Sequence, residues 1–138
     1  MKASKGISRT VALKLLKAAA KVSHQAHAPY SKFQVGAALL TDKGEIITGC
    51  NVENASYGLT ICAERNAIFH AVATNRRTFK AVAVVASGKQ MPFPCGACRQ
   101  VLAEFCGPET TVLIAPRSKL TDYDQSTMGE LLPKTFVF

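Results

Sequence analysis

An α/β fold is the class this sequence predicts, on three observations. Short apolar, β-branched runs suited to buried strands alternate with segments whose apolar residues recur at helical spacing. The turn Asp42-Lys43-Gly44 joins two strand candidates as a hairpin. The succession of hairpin, helix, strand, helix and strand then requires at least one parallel crossover, with helices lying over the sheet faces. The 138 residues suit one compact domain, read here as residues 1–138.

Each element has its own signal. From Ile7 to about Ala28, Ile7, Val11, Leu15, Ala18 and Val22 recur at helical spacing, with Lys14, Lys17 and Lys21 on other faces. Ser8 is placed to cap that helix and Pro29 to close it. His24, His27 and His70 all fall in segments read as helical. Phe33 to Leu40 is a buried strand, and Glu45 to Cys50 its hairpin partner. Cys62 to about Thr74 reads as a helix, and Phe79 to Ala86 as a central strand. A further helix is expected from Gly96 to Phe105, a strand from Thr110 to Ala115, and a short helix from Thr127 to Leu132. Cys62 and the Cys95/Cys98 pair therefore stand at the starts of two helices, at corresponding ends of adjacent βα units, where open α/β sheets hold their ligands.

Composition excludes several classes. No apolar run approaches the roughly 18 residues that span a bilayer. The N-terminus, Met1 to Lys5, is basic but lacks the apolar stretch and cleavage site of a signal peptide, so a cytoplasmic location is expected. The net charge is +8, and eight lysines and arginines fall within the first 43 residues. They are spread along a helix and loop without interleaved aromatics, which reads as a solvated basic face rather than a nucleic-acid track. Five cysteines in a cytoplasmic chain read as metal ligands or inert thiols.

Two fragments carry the chemistry: Cys62-Ala63-Glu64 and Pro94-Cys95-Gly96-Ala97-Cys98. A C-x-x-C turn presents two thiolates to one zinc, and Cys62 supplies a third. Helix N-termini favour thiolate over thiol. Three protein ligands are the catalytic count, because a fourth position remains for water. Glu64, two residues beyond Cys62, is expected beside the metal without ligating it, where it can shuttle protons. Cys50 and Cys106 lie outside the motif and read as ordinary thiols.

With Arg65, Arg99 and Gln100 added, these fragments resemble the zinc-dependent nucleoside and nucleotide deaminases, whose signature is His/Cys/Cys or Cys₃. A first ligand of Cys is similar to the free cytidine deaminases. The likeness extends to Pro29-Tyr30-Ser31-Lys32-Phe33, Val35-Gly36-Ala37-Ala38, Gly49-Cys50-Asn51-Val52-Glu53-Asn54-Ala55-Ser56-Tyr57-Gly58 and Leu131-Leu132-Pro133. It implies the short, homotetrameric class: a three-layer α/β/α fold with a mixed central sheet of about five strands, one Zn²⁺ per chain, and active sites shared between subunits. It also implies hydrolysis of cytidine, and of deoxycytidine, to uridine or deoxyuridine and ammonia in pyrimidine salvage.

Carried onto this chain, the resemblance makes Cys62, Cys95 and Cys98 the metal ligands and Glu64 the catalytic proton shuttle. Phe33 packs on the pyrimidine, and Ala63 lies at the substrate. Asn51 and Glu53 take the ribose hydroxyls, with the Glu53 carboxylate accepting two. Phe136 is lent to a neighbouring subunit, and Arg65 hydrogen-bonds the zinc thiolates. A nucleoside is the expected partner, with no nucleic acid and no membrane. The alternatives are a deaminase acting on a base within nucleic acid, a structural zinc module without catalysis, and a relative acting on another cytosine nucleoside such as blasticidin S; Asn51 to Asn54 favour a plain ribose.

Overall fold

The runs read as central strands are buried along nearly their whole length, so both of their faces have to be covered. They form β1 (Val35–Thr41), β3 (Phe79–Ala86) and β4 (Thr111–Pro116) in the middle of a five-stranded sheet. In this computed structural model, which describes residues 6–138, the order is β2-β1-β3-β4-β5. The half-buried edges are β2 (Ile46–Cys50) and β5 (Asp124–Thr127). The basic stretch Met1 to Lys5 lies outside the described residues. β3 and β4 run parallel and all other neighbours antiparallel, giving the mixed sheet expected.

Alternate strand residues point to opposite faces, and the two faces have different covers. Ala38, Leu40, Ala81, Ala83, Val85 and Leu113 meet Ala12, Leu15, Leu16 and Ala19 of α1 (Arg9–Ser23). Their neighbours Ala37, Leu39, Val82, Val84, Val112 and Ile114 meet a second set of helices. These are α2 (Ala63–Ala73), α3 (Gly96–Phe105) and α4 (Met128–Leu131), which contribute Ala67, Ile68, Leu102 and Met128. Each buried Val, Leu or Ile contributes about 1.5–3 kcal/mol relative to exposure. Three layers, α/β/α, follow.

Two glycines set how closely the layers approach. A Cβ on Gly36 would stand 2.0 Å from the Ala19 carbonyl oxygen of α1, and one on Gly49 would stand 2.3 Å from the Ala67 nitrogen of α2. Only a bare Cα lets backbone meet backbone at these distances.

The first helix begins where expected, with Ser8 Oγ accepting the Val11 N–H at 3.2 Å. It stops at Ser23 rather than near Ala28. The reason is tertiary: His27 N–H donates to the Asn51 carbonyl at 3.0 Å and Glu53 N–H to the His27 carbonyl at 2.8 Å. The chain leaves the helix to make that bridge. His24 therefore caps α1 and His27 lies in extended chain; among the three histidines only His70 is within a helix, its Nδ1 at 2.9 Å from the Thr48 carbonyl oxygen.

β2 and β3 are both antiparallel to β1, so they run in the same direction. The chain leaves both at one edge of the sheet and enters α2 and α3 there. The two units are not adjacent as expected, since β1 separates their strands. Among the described residues, no helix is long and apolar enough to cross a membrane.

Candidate active site

Cysteine stands where a capping residue would ordinarily be. Cys62 is the N-cap of α2 and Cys95 the N-cap of α3, both with extended backbone and neither making a side-chain cap hydrogen bond. Ser, Thr, Asn or Asp at such positions is worth about 0.5–2 kcal/mol over Ala, so both helix starts forgo that stabilisation and keep a sulfur free. Cys98 lies in the first turn of α3, fully buried. The Sγ atoms of Cys62, Cys95 and Cys98 all lie within 4.8 Å of one another. Cys50 is not part of that group, and Cys106 is buried elsewhere, against the core.

The trio fits zinc. Four ligands at about 2.3 Å in a tetrahedron place sulfurs about 3.8 Å apart, a spacing this cluster accommodates. Thiolates are also the soft donors that select zinc from harder cations. Hydrogen bonds from Cys98 and Arg65 hold Cys62 below the ordinary thiol range, against the effect of burial. Its hydrogen bond to Cys62, its burial and the nearby Glu64 charge push Cys98 upward.

Arg65 is one turn into α2, and its Nη2 donates to Cys62 Sγ at 3.3 Å. Its Nε is buried without a hydrogen-bond partner among the described residues. Three thiolates on a divalent ion carry net charge −1, and a guanidinium with a spare buried donor is suited to offset it.

Glu64 is 5% exposed, two residues past the first sulfur. Burial first, and then the charge of Cys62, raise its carboxyl to about 7. That value lets it accept and return a proton near neutrality. Ala63 beside it is fully buried.

The residues expected around the sugar are brought together differently. Asn51 is 7% exposed, and its amide also holds the backbone: Oδ1 accepts from Val35 N–H at 2.8 Å and Nδ2 donates to the Phe33 carbonyl at 2.9 Å, which leaves one acceptor and one donor position. Glu53 Oε1 accepts the N–H groups of Tyr30 and Ser31 at 3.0 and 3.1 Å, and Oε2 accepts the Ser31 hydroxyl. A carboxylate offers about four acceptor positions, so the two hydroxyls expected on Glu53 exceed what remains. A cavity of about 350 Å³ is lined by Tyr30, Ser31, Glu53, Tyr57 and Thr60. Tyr57 lies in a 3₁₀ turn (Tyr57–Leu59) and meets Tyr30 edge-on, with ring centroids 6.0 Å apart. Phe33 is partly exposed just before β1, and Phe136 is 72% exposed near the C-terminus.

Two residues received no role from the sequence. Arg99 donates from Nε to the Pro94 carbonyl at 2.7 Å and from Nη1 to the Leu131 carbonyl at 2.8 Å, tying the C-x-x-C turn to the end of α4. Ser31 links Glu53 to the Phe33 N–H, which its hydroxyl oxygen accepts at 3.0 Å. Both stood within quoted motifs, but their partners are distant in sequence, and nothing local announces them.

Comparison with known proteins agrees with this geometry. The family model for the cytidine and deoxycytidylate deaminase zinc-binding region matches residues 9–115. A cytidine deaminase of Halalkalibacterium halodurans is 51% identical over 88% of this chain and 91% of its own. One of Sporosarcina psychrophila is 49% identical over 89% of both chains. The crystal structure of cytidine deaminase from Burkholderia pseudomallei superimposes with a TM-score of 0.84 at 44% identity, covering 94% of this chain and all of that one. With three sulfurs gathered at two helix starts and a buried glutamate beside them, the chain belongs to the cytidine and deoxycytidylate deaminase family.

Proposed function

We propose that this protein is a zinc-dependent cytidine deaminase, a single catalytic domain that hydrolyses cytidine to uridine and ammonia. The observation that carries the reading is the open trio of Cys62, Cys95 and Cys98 with buried Glu64 in the adjoining helix turn. Those cysteines would hold one zinc per chain. When bound, zinc supplies an acidified water, with a pKa near 7, as the nucleophile.

The chain's own residues do the remainder. Glu64 takes a proton from the attacking water and gives it to N3 of the cytosine ring as the C4–O bond forms. It then takes the proton of the new C4 hydroxyl and delivers it to the amino group, so that the C4=O bond forms as the C4–N bond breaks and ammonia leaves. Burial keeps solvent from competing for that proton. Phe33 packs against the pyrimidine, Ala63 borders it, and Asn51 and Glu53 hold the sugar side. Deoxycytidine, which keeps the 3′-hydroxyl, is accepted as well.

The +8 charge does not favour a nucleic-acid substrate. Lys14, Lys17 and Lys21 are exposed on α1, which covers the sheet face opposite α2 and α3. A strand bound to those lysines would lie on the wrong layer for the sulfurs. A purely structural zinc module is disfavoured because the cluster gathers three donors rather than four among the described residues.

We further propose a homotetramer with shared sites, acting in cytoplasmic pyrimidine salvage. Exposed Tyr57, Leu59 and Phe136 support the assembly, because such side chains gain from burial against another copy. A thiolate site supports a reducing compartment, where cysteines stay unoxidised. Light scattering at a tetramer mass would agree with the assembly, and a monomer mass would remove it.

Ultraviolet absorbance during incubation with cytidine, with and without a zinc chelator, tests the main reading. Conversion that stops on chelation and returns with zinc is expected. Full activity in metal-free protein would overturn it.

A further inference from the structure

We propose that Ser31 is a positioning residue for sugar recognition, its hydroxyl fixing the Glu53 carboxylate so that one acceptor position faces substrate. The inference rests on the reading of Glu53 as the acid that binds the sugar.

The hydrogen-bond count around Glu53 carries it. Tyr30 N–H and Ser31 N–H occupy Oε1, and the Ser31 hydroxyl occupies Oε2. An ionised carboxylate has about four acceptor positions, so one is left for a substrate hydroxyl. The serine's single proton has a defined direction. Its oxygen already accepts the Phe33 N–H at 3.0 Å, so the O–H is free to donate to Glu53. One hydroxyl therefore fixes both the carboxylate and the backbone that bears the expected pyrimidine-packing ring.

Two further observations support it. Lys32, between Ser31 and Phe33, has φ of 61°, a left-handed conformation that a lysine rarely adopts. The chain tolerates that strain where the reversal lets Ser31 reach Glu53 and Phe33 together. Ser31 and Glu53 also line the same cavity of about 350 Å³, within the range of small-molecule sites. Ser31 donation holds the Glu53 carboxyl below its ordinary value.

A double-mutant cycle on the zinc-loaded enzyme tests the proposal, with KM and kcat for cytidine as readouts. Ser31→Ala should raise KM about tenfold with kcat within about twofold, the scale of one charge-assisted hydrogen bond. Ser31→Thr, which keeps the hydroxyl, should restore KM to within about twofold of the parent. In a Glu53→Gln background, Ser31→Ala should move KM by less than about twofold, because Ser31 acts through that carboxylate. An unmoved KM in Ser31→Ala, a loss confined to kcat, or equal losses in both backgrounds would each overturn the inference. If Ser31→Ala fails to fold, Ser31→Cys gives the same comparison with a much weaker donor. A parent inactive on cytidine would instead overturn the functional reading, and this inference with it.

Discussion

Arg65 Nη2 donates to Cys62 Sγ over 3.3 Å, from one turn further along the helix that Cys62 caps. The pair places a permanent cation beside a thiolate that would otherwise add to the metal's electron density. Arg65→Gln keeps a donor and removes the charge. It should lower activity or zinc affinity by about 10- to 100-fold, the range seen when a group supporting a metal ligand is lost. Steady-state kinetics and chelator competition measure the two separately, and parental values in both would remove Arg65 from this role.

Glu64→Gln separates proton transfer from metal binding. The amide fits the same buried space but cannot carry protons, so kcat should fall by about 10²–10⁴. Zinc content, read by elemental analysis, should stay at one per chain. A variant retaining more than about a tenth of parental kcat would exclude Glu64 as the shuttle.

Gly49→Ala should cost stability and activity together. The new methyl would meet α2 backbone at 2.3–2.9 Å, and α2 carries Glu64 and starts at Cys62. Overpacking of this kind costs about 1–3 kcal/mol. A urea midpoint and kcat/KM report the two effects.

Cys106 should resist alkylation in the native protein. Burial first, and then the Glu109 charge, push its thiol up to about 12. The folded state therefore favours the neutral thiol. Stability from this group is intact below about 8.5, the unfolded thiol value, and declines as pH rises from there toward 12. Above pH 8.5 the melting temperature of the parent should fall faster with pH than that of Cys106→Ala. Mass spectrometry after iodoacetamide treatment at pH 8 should find Cys106 unmodified until denaturant is added.

How much of this was legible depends on where each signal resides. Phe79 to Ala86 announces a central strand because both of its faces are buried, and the same eight residues form β3. Asp124 to Thr127 announces nothing: an edge strand held by backbone pairing to β4 needs no apolar pattern. Ser8 could be read as a cap from its place before a periodic run, whereas the end of α1 could not. It is set by the bridge from His27 to Asn51 and Glu53, over 20 residues away.

The sequence by itself determined the chemistry: three thiols and one carboxylic acid at spacings that put each ligand at a helix start. It also determined the buried central strands, because apolar periodicity is a local property of the chain. Only the tertiary structure decided what the polar side chains do. Asn51 commits half of its amide's hydrogen-bonding capacity to the backbone at Phe33 and Val35, and Glu53 spends most of its acceptor capacity on Tyr30 and Ser31. A hydrogen bond is specified by position and direction rather than by residue type, and those are fixed only when distant segments meet.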